Sequence, residues 1–194
     1  MKNADISNRP AAAPPRLNRE HAGLVVVDIQ EKLLPAIHDK DRLLKNVVCL
    51  LKSAAILGVP MIATEQYPKG LGTTVSEVLQ ACSGFGALEK VAFSACGASG
   101  FEDALKAKGI SNVMLCGMET HVCVLQTALD LIEKEFKVFV VADGVSSRTL
   151  ENHRLGLQRM HDAGAVIVSV EMVLFELLGK AGTPEFKRVL ELLK

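Results

Sequence analysis

The stretch Asn112–Lys134, NVMLCGMETHVCVLQTALDLIEK, joins a short apolar run to an amphipathic one, and its reading decides the fold class. Val113, Met114, Leu115 and Cys116 are apolar without a break, as in a strand buried on both faces, and Gly117 is expected to end it. Val122, Leu125, Leu129 and Ile132 then recur at helical spacing, with Thr120 as the expected N-cap and Cys123 as the third helical residue. The first N–H groups of a helix have no intrahelical partner, and the macrodipole adds about half a positive charge there, so the spacing predicts a thiolate at Cys123. A plain core cysteine fits the same letters, since free cysteine is among the most buried residue types.

Working outward, the same alternation repeats. Leu24–Val27 is an apolar run closed by Asp28, and an amphipathic helix over 39–57 stops at Gly58. A strand is expected over 60–63, ending in Thr64, Glu65 and Gln66, followed by a loop over 67–72 and a helix from Thr73 or Thr74 to about Cys82. A short strand over 87–93 carries Lys90, and a helix over 100–108 precedes the opening stretch. Beyond it lie a strand over 138–142 turned by Asp143 and Gly144, a helix capped by Ser146 or Ser147 and reaching His161, and a strand over 165–170. Helices over 171–178 and 185–193 complete the chain. Strands apolar throughout that alternate with helices make a three-layer α/β/α sandwich around a mostly parallel, doubly wound sheet. A chain of 194 residues holds one such domain, expected at 19–194 after a flexible tail at 1–18.

Composition narrows the function. Hydrophobic residues make up 49% and charged residues 23%, which excludes disorder as the main state. Lysine plus arginine and aspartate plus glutamate are both 22, so nothing advertises nucleic acid or an anionic membrane as a partner. No apolar run approaches the roughly 20 residues of a membrane helix, and the first 18 residues lack the apolar core of a signal peptide. Five cysteines without regular spacing argue against a disulfide framework and for a reducing, cytoplasmic setting. Cys49 and Cys116 are read as core, while Cys82 and Cys96 fall near loops.

Ligand crevices of open parallel sheets lie beyond the carboxyl ends of the strands. Asp28, Glu65, Glu119, Thr120, Cys123, Asp143 and Ser169 all follow expected strands and can share one rim, although polar strand ends are also simply how strands meet water. His121 is two residues from Cys123 on a helix and so does not face it, and His153 and His161 read as surface or packing residues.

Five motifs in order, LVVVDIQ at 24–30, TEQYPKGLGTT at 64–74, EKVAFSA at 89–95, GMETHVCV at 117–124 and VADGVSSR at 141–148, resemble the isochorismatase-like cysteine hydrolase family. The resemblance is strongest to the isochorismatase domain-containing proteins of animals and their bacterial relatives. It implies the isochorismatase-like hydrolase fold and a triad of Asp28, Lys90 and Cys123. Within that triad Lys90 would help hold a thiolate, and Asp28 would fix Lys90 and relay protons. It further implies a cis peptide between Met118 and Glu119, an oxyanion hole from the amides of Glu119 and Cys123, and a homo-oligomer. Without it, Asp28 is a strand-end carboxylate and Lys90 a surface lysine.

Nicotinamidases of the family bind a metal through an aspartate and histidines after the second strand. This chain has Thr64-Glu65-Gln66-Tyr67 there, so no metal and no cofactor are expected. Gln30, Leu33, Tyr67, Pro68, Phe93, Thr120 and His121 are the candidate walls of a small-molecule cleft. The first reading is hydrolysis of a small amide or related C–N bond through a thioester on Cys123. The alternatives are a vinyl ether hydrolase using Asp28 without the thiol, and a non-catalytic scaffold or thiol redox sensor.

Overall fold

The computed structural model describes residues 15–81 and 86–194. Strands β1 (Ala22–Val27), β2 (Met61–Gln66), β3 (Ala87–Lys90), β4 (Asn112–Met118), β5 (Lys137–Ser146) and β6 (Val166–Val168) form one sheet in the order β3-β2-β1-β4-β5-β6. Every pairing is parallel. The helices are α1 (Lys40–Leu57), α2 (Pro68–Leu71), α3 (Ser76–Ala81), α4 (Phe101–Ala107), α5 (Leu125–Glu133), α6 (Leu150–Asp162), α7 (Val170–Leu178) and α8 (Pro184–Leu193).

Each strand feeds both sides of the sheet because side chains alternate. Leu24 and Val26 of β1 join Leu43, Leu50, Val173 and Val189 from α1, α7 and α8 in one core. Val25 and Val27 join Phe101, Leu105, Leu131 and Met160 from α4, α5 and α6 in the other. Helix α1 shows why the sequence commits: Leu43, Val47, Leu50, Leu51, Ala54 and Leu57 are buried at helical spacing, and Gly58 ends the helix in the left-handed conformation at φ 68°. The strand order reverses at β1 and β4, so the crevice of this fold opens at their carboxyl ends.

Several boundaries move. Thr64, Glu65 and Gln66 lie inside β2 rather than beyond it, and the expected loop after it contains the turn α2. The third strand stops at Lys90, short of Phe93. Thr74 does not cap a helix; its N–H and hydroxyl both donate to Glu65 Oε1 at 2.7 Å. Asp143 and Gly144 lie within β5, in the stretch where its register against β4 shifts, rather than turning the chain after it. Thr149, not Ser146 or Ser147, caps α6, and Ser169 caps α7 from just beyond a strand that ends at Val168. Leu17, placed in the tail by its sequence, is buried, and its N–H donates to Glu176. Residues 1–14 of the expected tail and Cys82 lie outside the described residues. Among the described helices none is long and apolar enough to cross a membrane.

Gly117 does not break its strand. It continues β4 with φ 118°, and a Cβ there would collide with the carbonyl oxygen of Val27 across the sheet. Gly117→Ala is therefore expected to cost at least about 2 kcal/mol, lowering the melting temperature by about 4–8 °C. Thermal denaturation followed by circular dichroism checks this, and an unchanged melting temperature would contradict the close approach.

Candidate active site

β1 and β4 end side by side at the reversal point, and the residues that follow them meet there. Asp28 leaves β1 in the left-handed conformation at φ 51° and is fully buried. Its Oδ1 accepts the Thr64 hydroxyl at 2.7 Å and its Oδ2 accepts Lys90 Nζ at 2.6 Å. Lys90 reaches Asp28 from β3, two strands away, with neither side chain exposed (0% and 0%). The ammonium also donates to Gln66 Oε1 at 2.8 Å, Phe93 O at 2.9 Å and Ala92 O at 3.3 Å. Four acceptors around three N–H bonds leave it no proton to lend, so its role is to hold positive charge in place.

After β4 the Met118–Glu119 peptide is cis, and residues 120–124 make a wide π-helical turn before α5. Glu119, not Thr120, occupies the cap position, and Cys123 is the fourth residue of that turn. The carbonyl of Glu119 accepts the N–H groups of both Val122 and Val124. Cys123 is only 6% exposed and packs with the core on the α4–α6 side.

The surroundings of Cys123 favour the thiol over the thiolate. Burial pushes Cys123 up to about 12; the charge of Asp28 and the hydrogen bond between the two groups push the same way, against the smaller downward pull of Lys90. Against the pull expected from helix end and lysine stand the burial of the sulfur and the charge of the carboxylate already paired to that lysine. Cys96 and Cys116 are also raised by burial, but neither has this carboxylate among its causes.

The expected cleft walls divide. Tyr67 and Pro68 line a cleft of about 520 Å³ with Val91, Ala92 and Ser99, next to Lys90. Lys90 also lines it, while Asp28 and Cys123 do not, so the cleft opens beside the sulfur and not directly over it. Phe93 is exposed and gives its carbonyl to Lys90. Gln30 is not a wall: its side-chain amide accepts the N–H of Gln66 and donates to the carbonyls of Gln66 and Gly72, extending the pairing of β1 with β2. Leu33 packs on the core on the α1 side. Thr120 is buried against His153, and His121 bonds Ser147. His161 is exposed, while His153 is buried with its Nδ1 3.0 Å from Thr120 Oγ1.

Two partners of the Asp28–Lys90 pair are not legible as such in the sequence. Thr64 and Gln66 read as a polar strand end, whereas period-two alternation within a longer β2 turns both inward and Glu65 the other way. Among the described residues no group of three or more His, Cys, Asp or Glu side chains gathers as metal ligands would. Thr64 and Gln66 are spent on Asp28 and Lys90.

Removing Lys90 alone leaves a buried carboxylate without its charge partner. Lys90→Met is therefore expected to cost about 3–5 kcal/mol in urea unfolding, and Lys90→Met with Asp28→Asn to recover most of it. Equal losses in the single and double variants would mean the ion pair is not what the loss measures.

Comparison with known proteins places this geometry. Residues 22–172 match the family model of the isochorismatase domain. The chain is 38% identical to isochorismatase domain-containing protein 2 of Danio rerio over 92% of its own length and 89% of the relative's. It is 38% identical to the secreted isochorismatase effector Isc1 of Phytophthora sojae, covering 92% and 87%. Among solved structures, the MAR1 ribonuclease of Caenorhabditis elegans superposes with a TM-score of 0.87 at 38% identity, covering 92% of each chain. YcaC of Escherichia coli, described as an octameric hydrolase of unknown specificity, superposes with a TM-score of 0.85 at 27% identity, covering 95% and 92%. The chain belongs to the isochorismatase family of hydrolases.

Proposed function

We propose that this protein is a cysteine hydrolase of a small amide or related C–N bond. The observation that carries the reading is the fully buried Lys90–Asp28 ion pair, both of whose charges act on the Cys123 thiol. As sulfur attacks the carbonyl carbon, its proton passes to Asp28 and the electron pair moves to the carbonyl oxygen. The amides of Glu119 and Cys123 hold that oxyanion. Collapse breaks the C–N bond, and Asp28 returns the proton to the leaving amine, leaving a thioester on Cys123. Water then attacks the thioester, giving a proton to Asp28, and the C–S bond breaks with return of that proton to sulfur.

Tyr67, Pro68 and Phe93 flank the substrate's entry, in keeping with a mostly apolar small-molecule cleft. A formal charge of zero favours such a substrate over RNA, the substrate that the name of the nematode relative implies. Ether hydrolysis would leave the thiol and its contact with Asp28 without a use. A redox sensor needs an exposed thiolate, the reverse of the state of Cys123. The free thiols Cys49, Cys96, Cys116 and Cys123 suit a reducing compartment such as the cytoplasm, although one relative is secreted.

We also propose a homo-oligomer, supported by the octameric YcaC and by exposed Tyr67, Val91 and Phe93 near the cleft. Light scattering giving a monomer at micromolar concentration would remove that proposal.

Because the thiol pKa is raised, the thiolate fraction at Cys123 should still be climbing about tenfold per pH unit at pH 9–10. Iodoacetamide labelling of the native protein should follow that climb, and a plateau below pH 8 would contradict it. Asp28→Asn removes the charge and the hydrogen bond that hold the proton, so labelling at pH 8 should rise while turnover of amides is lost. Mass spectrometry after exposure to a panel of small amides should find an acyl adduct on Cys123. Hydrolysis surviving in Cys123→Ala would overturn the reading.

A further inference from the structure

Glu119, at the cap of the nucleophile's turn, and the turn's first two residues are tied by their side chains to one other segment. Glu119 Oε2 accepts Arg148 Nε at 2.8 Å, Thr120 Oγ1 lies 3.0 Å from His153 Nδ1, and His121 Nδ1 lies 3.0 Å from Ser147 Oγ. All three partners fall between the end of β5 and the first turn of α6. That segment is itself anchored, with Ser146 Oγ donating to His38 O at 2.6 Å and His38 N donating to Ser147 O at 2.9 Å. Helix α6 comes so close that a Cβ on Gly156 would lie 3.0 Å from the Thr120 carbonyl oxygen and 3.1 Å from the His121 backbone. On its other side the turn is held by Thr127, whose hydroxyl donates to the Cys123 carbonyl at 2.7 Å and accepts the Ala95 N–H at 2.8 Å.

Satisfaction of buried polar groups accounts for one such contact. It does not account for three in a row at the cap and first two residues of the only π-helical turn among the described residues, a rare conformation that recurs at functional sites.

Resting on the catalytic reading above, we propose that the segment Ser147–His153 is the positioning element of the nucleophile, with His153 as its central positioning residue acting through Thr120. The buried His153–Thr120 bond fixes the first residue of the wide turn, and with it the direction in which Cys123 presents its sulfur to a carbonyl carbon while keeping contact with Asp28. Arg148 and Ser147 fix the residues on either side of Thr120. None of the three touches the reacting atoms.

Acrylamide is a suitable probe, because the sulfur adds to its terminal alkene carbon, the neighbouring carbon takes a proton, and the adduct is read by intact-protein mass spectrometry. His153→Leu should slow adduct formation on Cys123 about tenfold, as small misplacements of reacting groups do. His153→Asn, which can keep a polar atom near the place of Nδ1, should stay within about threefold of the parent. Thr120→Val should slow labelling as His153→Leu does, and the double variant should be no slower than the slower single variant, since both remove one interaction. Should His153→Leu fail to fold, the exposed Arg148→Gln should still slow labelling about threefold.

Parent-like labelling of a folded His153→Leu protein, equal slowing by Asn and Leu, or multiplicative effects in the double variant would overturn the positioning role alone. A native parent protein whose Cys123 forms no adduct would bring down the catalytic reading, and the positioning role with it.

Discussion

The ammonium of Lys90 and the carboxylate of Asp28 meet at 2.6 Å out of contact with water, and the carboxyl edge of the sheet is built around that fact. Taking two ions out of water costs several kcal/mol per ion even after relaxation, so the pair stands only if its remaining donors and acceptors are filled. Filling them draws in Thr64 and Gln66 from β2 and the carbonyls of Ala92 and Phe93 from the segment after β3. One interaction thus fixes the ends of three neighbouring strands relative to each other. The thiol then enters from the fourth, beyond β4, against a carboxylate that is already immobile.

The backbone adapts to let those side chains converge. The residues that end or follow β2, β1 and β4 include Tyr67 at φ 39°, Asp28 at φ 51° and Gly117 at φ 118°, all in the left-handed range. For the two non-glycine residues this costs of order 1–3 kcal/mol each, a cost tolerated where the surroundings over-determine the conformation. The surroundings do so here. The N–H of Tyr67 is held by the carbonyl of Lys90 and that of Asp28 by the carbonyl of Thr64. Past Asp28, where the strand ladder ends, the side-chain amide of Gln30 carries the pairing onward to Gln66. Strand pairing is thereby extended by side chains just far enough to support the site.

The layers of the fold were legible because β1, β4 and β5 each carry an unbroken apolar run and α1 an amphipathic pattern, a contrast that survives without coordinates. Glycines marked the helix ends well, as at Gly58, where only a left-handed residue was needed. Gly117 misled because the same residue type also serves where two backbones approach closely, and one letter does not say which. Strand ends were misread where polar residues point inward, as at Thr64 and Gln66, since a buried polar residue declares itself only through a partner distant in the chain. The resemblance named Asp28, Lys90 and Cys123 together, and no spacing argument did so. It carried the residue types and not the protonation state of the thiol, which depends on burial and on which charge the lysine already serves.

That protonation state has a consequence for how the site works. Asp28 and Lys90 together carry no net charge, so a resting thiolate would add an unbalanced negative charge to a buried place, which favours keeping the proton on sulfur. On the catalytic reading, attack on a neutral carbonyl moves the proton to Asp28 and the negative charge to the substrate oxygen, and the total within the site stays at zero through every step. No ion has to be brought in from water or expelled to it. Such a site favours substrates neutral at the reacting carbonyl. The raised pKa of the thiol and its near-complete burial also lower its reactivity toward solutes other than a bound carbonyl compound.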